Sequence, residues 1–169
     1  MSSKTSVLVI GGTSGIGKGI KDLLGADEVS KSTGFDINHP VETEEYDVIV
    51  LNSYGEFTSQ LKTLLSLAQD HPNAYFIVIA SIKAYSTRPD NINKLMYSVE
   101  KSAINNACLQ LNEINIKACA FNPGYVNTDF NKNKDVPKLS TEYIAKKVRG
   151  IIEDYENGII HQNITLGAI

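Results

Sequence analysis

The chain has little of what usually betrays a specialised chemistry. Its two cysteines, Cys108 and Cys119, lack metal-ligand spacing and are too few for a disulfide framework. They read as small buried residues in a reducing compartment. The three histidines, His39, His71 and His161, are scattered and form no ligand set. There is no excess of positive charge; the formal net charge of −3 argues against a general nucleic-acid binder. No apolar stretch approaches the roughly 20 residues needed to span a bilayer. Met1 to Thr5 runs straight into a strand, with no signal-peptide pattern. A soluble, cytoplasmic protein is expected. Repeats and linkers are missing too, as is the Gly-x-Ser-x-Gly elbow of serine hydrolases around Ser81, whose neighbours are Ala80 and Ile82.

What is present is core material. Hydrophobic residues are 42% and charged residues 21% of 169, enough for one domain over 1–169 with a real interior. Val7-Leu8-Val9-Ile10 is a continuous apolar run ending at glycines, the pattern of a strand buried on both faces. Further strands are expected at 28–30, at Gly34-Phe35-Asp36-Ile37, and over 47–51, 75–80, 116–121 and 161–166. Helices are expected over 16–24, with Ile16, Ile20, Leu23 and Leu24 inward; over 56–70, with Leu61, Leu64, Leu65 and Ala68 inward; over 97–112, with a stripe of Val99, Ala103, Ala107 and Leu111; and over 141–155. Residues 82–95 read as a polar loop, and the Asn- and Lys-rich residues 127–138 as a second. The alternation predicts an α/β fold: a single-domain, Rossmann-like, doubly wound parallel sheet of about seven strands. Too few residues separate 28–30 from 34–37 for a crossover helix, so that helix is missing or shortened.

Gly11-Gly12-Thr13-Ser14-Gly15-Ile16-Gly17 joins the first strand to the first helix. Backbone N–H groups and the helix dipole at such a turn favour an anion. Gly12 to Lys18 also matches the first seven positions of a P-loop, but position eight is Gly19, which has no hydroxyl for Mg²⁺. A second pattern is Tyr97-Ser98-Val99-Glu100-Lys101. On a helix, Tyr97 and Lys101 lie one turn apart on one face. An ammonium beside a phenol favours the phenolate, so the Tyr97 pKa is expected below its usual value of about 10, suiting an acid/base near neutral pH.

With Gly-x-x-x-Gly-x-Gly at 11–17 and Tyr-x-x-x-Lys at 97–101, the chain resembles the short-chain dehydrogenase/reductase family. Asn52-Ser53-Tyr54-Gly55 is similar to that family's Asn-Asn-Ala-Gly motif. Ser81 follows an apolar strand where the family keeps its catalytic serine. Asn122-Pro123-Gly124-Tyr125-Val126-Asn127-Thr128 is similar to the segment closing over the nicotinamide, and 158–167 resembles the closing strand. The resemblance implies an NAD(P)(H)-dependent oxidoreductase interconverting a carbonyl and an alcohol of a small molecule. Tyr97 would be the general acid/base, Lys101 would support it and hold the nicotinamide ribose, and Ser81 would bind the substrate oxygen. The remaining dinucleotide contacts would come from Gly11, Thr13, Ser14, Gly15, Ile16 and Gly17, from Asn52, Ser53 and Gly55, and from Pro123, Gly124, Val126 and Thr128; Asp36 and Ile37 would meet the adenine. The second strand ends in Ser30-Lys31-Ser32-Thr33, with no acidic group for a ribose 2′-hydroxyl; Asp27 and Glu28 come too early. NADP(H) is therefore favoured over NAD(H), with Lys31 and Ser32 on the 2′-phosphate.

The family's pattern also implies a homodimer or homotetramer through the helices near 56–70 and 97–112, with Leu67, Ile104 and Cys108 as a second apolar face. Three departures stand out. The chain is shorter than typical members. The loop from Ser81 to Tyr97 is longer. The family's fourth catalytic residue, an asparagine before the serine strand, has no counterpart in 56–70, where Gln60 or a water would have to substitute. On the same fold, a dinucleotide-binding sensor without catalysis is the alternative.

Overall fold

The computed structural model describes residues 5–37, 44–86 and 88–167. Six parallel strands form one sheet: β1 (Val7–Ile10), β2 (Asp27–Val29), β3 (Val48–Leu51), β4 (Tyr75–Ile79), β5 (Ala118–Pro123) and β6 (Asn163–Leu166). Their order is β2-β1-β3-β4-β5-β6. The helices are α1 (Gly15–Leu24), α2 (Ser59–Asp70), α3 (Ile92–Glu113) and α4 (Thr141–Glu156).

Alternation along the strands sorts their side chains to two faces. Leu8, Ile10, Ile49, Leu51, Phe76 and Val78 pack with Leu64, Leu67 and Ala68 of α2 and Ile104, Cys108 and Leu111 of α3. Val9, Val48, Val50, Tyr75 and Ile77 pack with Ile20 of α1 and Ile144, Val148 and Ile152 of α4. The chain leaves β1 in one direction towards β2 and returns on the other side as β3. That reversal opens a crevice at the carboxyl ends of β1 and β3, the usual ligand position in an open α/β sheet.

The expected doubly wound architecture is present, with six strands among the described residues where about seven were expected. Gly34–Ile37 is not a strand of the sheet. After β2 the chain makes a single 3₁₀ turn over Lys31–Thr33, closed by a capping box between Ser30 and Thr33. Phe35 N–H then returns to Ser30 O (2.8 Å). Phe35 and Ile37 are buried in the core on the α2/α3 face, and Ile37 O accepts from Thr63 Oγ1 of α2 (2.8 Å). Two side chains thus cover sheet surface that a crossover helix would otherwise cover, so neither helix nor strand forms there.

Other corrections concern phase and length. α3 starts at Ile92, capped by Asn91 Oδ1 on Lys94 N–H (3.0 Å), so the polar loop is shorter than 82–95 and Tyr97 lies in the second turn. Its buried face carries Lys101, Ile104, Cys108 and Leu111, whereas Val99 is 49% exposed. On α2, Leu67 is buried and Leu65 is exposed. Leu67, Ile104 and Cys108 therefore belong to the core and cannot form a second apolar face. In both helices the apolar residues spread over more than half the circumference, so spacing alone could not fix which arc faces the sheet.

Candidate active site

The glycine turn is shaped by close approach. Gly11 has φ +86°, and a Cβ there would lie 2.3 Å from Ser53 Oγ. A Cβ on Gly17 would lie 2.0 Å from Gly11 O. Asn52 Nδ2 donates to Gly11 O (3.0 Å), so the segment after β3 clamps the turn after β1. Thr13, Ser14 and Gly15 are exposed at its tip, Ile16 is half-buried, and Thr128 lies beside Gly15. Ser14, the N-cap of α1, makes no side-chain capping bond, and no acidic residue lies in the first turn. The positive end of α1 is therefore left to an anion, and the cradle fits a dinucleotide's phosphates. A P-loop fits less well. Lys18 pairs with Asp22 along the exposed side of α1, and a Cβ on Gly19 would lie 3.3 Å from Thr141 O, which leaves little room for a hydroxyl-bearing residue.

Asp27 and Glu28 pair with Leu8 and Val9, short of the sheet's carboxyl edge. Glu28 lies beneath Gly12, with a buried carboxylate oxygen that has no hydrogen-bond partner among the described residues. Lys31 and Ser32 are exposed just beyond the strand, with Ser32 Oγ 2.7 Å from Ser30 Oγ. Asp36 is half-buried, and Ile37 is a core residue. Gly55 N–H donates to Ser59 Oγ (3.1 Å). Across the crevice, Pro123 ends β5, Gly124 N–H donates to Leu166 O (2.6 Å), and Val126 is buried in the core on the α1/α4 face.

Ser81, Tyr97 and Lys101 come together. Ser81 directly follows Ala80 at the carboxyl edge of β4; its N–H donates to the buried Asn122 Oδ1 (3.3 Å), its Oγ accepts from Lys83 N–H (3.2 Å), and its hydroxyl is near enough to the Tyr97 phenol to favour the phenolate. The Lys101 ammonium lies over the Tyr97 ring, 5.3 Å from its centroid. The expected fall in the Tyr97 pKa does not occur. Burial raises it above the usual value, the nearby Ser81 hydroxyl opposes this, and Tyr54 and Glu100 add to the rise. Lys101 does not reverse the balance, because its ammonium is directed elsewhere and burial lowers its own pKa to about 8.

Three residues complete the site. Lys101, 2% exposed, donates through its ammonium to Gln60 Oε1. Glu100 is 1% exposed and accepts Gln60 N–H through Oε1 (3.2 Å). Tyr54 places its ring 5.0 Å from the ammonium and edge-on to Tyr97, at 5.4 Å between centroids. Gln60 was legible as a candidate. Glu100 was missed, although it shares the inner face of α3 with Ile104 and Cys108 at four-residue spacing. Tyr54 was visible only as one letter of a glycine-ended turn.

No protein-family model and no curated protein matches the sequence. Solved structures do match. A short-chain type dehydrogenase/reductase from Mycobacterium ulcerans superposes with a TM-score of 0.74 at 16% identity, covering 97% of this chain and 88% of that one. A 3-oxoacyl (acyl-carrier-protein) reductase from Agrobacterium tumefaciens with NADP bound gives 0.73 at 14%, covering 96% and 93%. A 7α-hydroxysteroid dehydrogenase complexed with NADH and a 7-oxo bile acid conjugate gives 0.69 at 17%, covering 96% and 92%. From its glycine turn to its closing strand, the chain has the fold of the short-chain dehydrogenase/reductase structures in abbreviated form.

Proposed function

We propose that the protein is an NAD(P)(H)-dependent oxidoreductase that interconverts a small-molecule carbonyl and its alcohol. The observation that carries this reading is the meeting of the Ser81 hydroxyl, the Tyr97 phenol and the Lys101 ammonium at the carboxyl edge of the sheet. A nicotinamide dinucleotide supplies the hydride when bound. Gly11, Thr13, Ser14, Gly15, Ile16 and Gly17 would hold its phosphates on α1. Asn52, Ser53 and Gly55, just past β3, and Pro123, Gly124 and Thr128, at and past the end of β5, would face them, whereas Val126 is taken up by the core. Lys31 and Ser32, exposed past the end of β2, favour NADP(H), and Asp36, half-buried, would flank the adenine end, whereas Ile37 is taken up by the core. Ser81 positions the substrate oxygen, and Tyr97 gives it a proton. A phenol with a raised pKa stays protonated at neutral pH, which suits the acid role.

One observation favours a second reading, a dinucleotide-binding sensor. Lys101 is already engaged by Gln60 and covered by Tyr54. The two readings separate in one experiment: fluorescence titration with NADPH and NADH, then turnover on a panel of aldehydes and ketones. The oxidoreductase binds and turns over, and Tyr97→Phe keeps binding while losing about 10²- to 10⁴-fold in kcat. Binding with no turnover, unchanged in Tyr97→Phe, selects the sensor.

The proposal extends to a homodimer or homotetramer through α2 and α3. Ile92, Leu95, Met96 and Val99 form an exposed row on α3, and Leu65 is exposed on α2. Both cysteines are free and buried, which suits a reducing cytoplasm. No helix among the described residues is long and apolar enough to cross a membrane.

A further inference from the structure

We infer that Gln60 and Glu100 together form a buried positioning device that fixes where the Lys101 ammonium sits and keeps it charged. The consequence for catalysis rests on the oxidoreductase reading; the geometry does not. Gln60 is completely buried in the first turn of α2. Its Nε2 donates to Leu51 O (3.3 Å) and to Ile79 O (3.2 Å). Those carbonyls end β3 and β4, the strands that deliver Asn52–Gly55 and Ser81. With both amide protons committed to carbonyls, the amide cannot flip, and Oε1 can only accept. What it accepts is the Lys101 ammonium. One side chain therefore ties the lysine on α3 to two strand ends at once.

Glu100 acts on the same unit from the opposite side. Its Oε1 accepts the backbone N–H of Gln60, at the positive end of α2, while its Oε2 is buried without a hydrogen-bond partner among the described residues. Glu100 makes no ion pair with Lys101 within 4.0 Å among the described residues; it acts on the ammonium through its charge while it holds the start of α2 by the Gln60 N–H. The other titratable groups facing Lys101 are the Tyr54 phenol after β3 and the Tyr97 phenol on α3. Neither is charged near neutral pH, since both pKa values are raised. Burial lowers the Lys101 pKa to about 8, and Glu100 opposes that fall. An ammonium has three N–H donors. One is taken by Gln60, and the rings of Tyr54 and Tyr97 lie 5.0 and 5.3 Å from the ammonium.

The test uses the full chain with Gln60→Met, which keeps the length and removes both hydrogen-bonding ends, and Glu100→Gln, which keeps the shape and removes the charge. The direct readout is the pH titration of the Lys101 side-chain resonance by NMR, assigned by its loss in Lys101→Met. Each variant is expected to move the midpoint down by about one pH unit. NADPH affinity at pH 8 is expected to fall about tenfold in Gln60→Met, with a smaller loss at pH 6, where the lysine stays charged in both. A residue that only supported the fold would lower affinity equally at both pH values and leave the midpoint in place; that result overturns the inference. Should Gln60→Met not fold, Glu100→Gln decides: it leaves every bond of the Gln60 side chain intact, and an unmoved midpoint sinks the device. Wild-type protein that binds neither NADPH nor NADH rejects the oxidoreductase reading, while the lysine titration still tests this one.

Discussion

Lys101 carries the most consequential electrostatics of the molecule. In the unfolded chain it titrates near 10.5, in the folded protein near 8. Below pH 8 the buried ammonium imposes its full cost, about 3 kcal/mol. Between 8 and 10.5 the unfolded chain binds more protons than the folded one, so stability owed to this group rises with pH. Cys119, whose pKa burial pushes up to about 12, and Cys108, also pushed up, act in the opposite sense above about pH 9. They are common to wild type and Lys101→Met, so the difference between the two isolates the lysine. We expect that difference, from urea unfolding at pH 7 to 10.5, to move in favour of wild type by up to about 3 kcal/mol as pH rises. A pH-independent difference would show that the ammonium is not desolvated. Tyr97 and Lys101 could be paired in the sequence by their helical spacing, but their roles and the place of Ser81 came from the resemblance to the short-chain dehydrogenase/reductase family. The direction of the Tyr97 pKa was not legible. Adjacency in sequence says that a cation is near, whereas the balance depends on burial and on where the cation's protons go.

At the scale of elements, the strands were the easiest part to read. Val7-Leu8-Val9-Ile10, the run over 47–51 and the run over 75–80 are apolar without alternation because helices cover both faces. The segment after β2 was harder, because Phe35 and Ile37 are spaced two apart, as on a strand, yet both point into the core from an irregular chain. No local pattern separates these cases; only the length of chain available for a crossover does. The start of α3 was missed for a related reason. Its first turn, Ile92-Asn93-Lys94-Leu95, is exposed throughout and looks like loop, and only the Asn91 cap marks it. Because Phe35 replaces part of a helix, it should matter as a core residue rather than as a loop residue. Phe35→Ala is expected to cost about 3 to 5 kcal/mol in urea unfolding, the range for a fully buried phenylalanine. A loss under about 1 kcal/mol would mean that the segment merely rests on the sheet.

At the scale of the whole molecule, abbreviation creates an edge. Among the described residues no strand lies beyond β2, which is only three residues long, two of them acidic. A short, charged edge resists pairing with another chain, so association through the sheet is disfavoured on that side. Association through helices is a different matter. On α3, Ile92, Leu95, Met96 and Val99 recur at intervals of three, four and seven, and at 100° per residue they lie opposite the face that carries Lys101, Ile104 and Cys108. The row points away from the sheet, and its four side chains are exposed. A second copy docking there would leave the catalytic face untouched, since the two faces of α3 are on opposite sides of one helix. We therefore expect sedimentation equilibrium at micromolar concentration to give at least twice the chain mass. Val99→Glu is expected to give the monomer, with an unfolding midpoint close to that of wild type measured below its dissociation concentration, because a side chain already half in water costs little to replace. A wild-type monomer at all accessible concentrations would remove the interface, and an oligomer unchanged by Val99→Glu would place it on another surface.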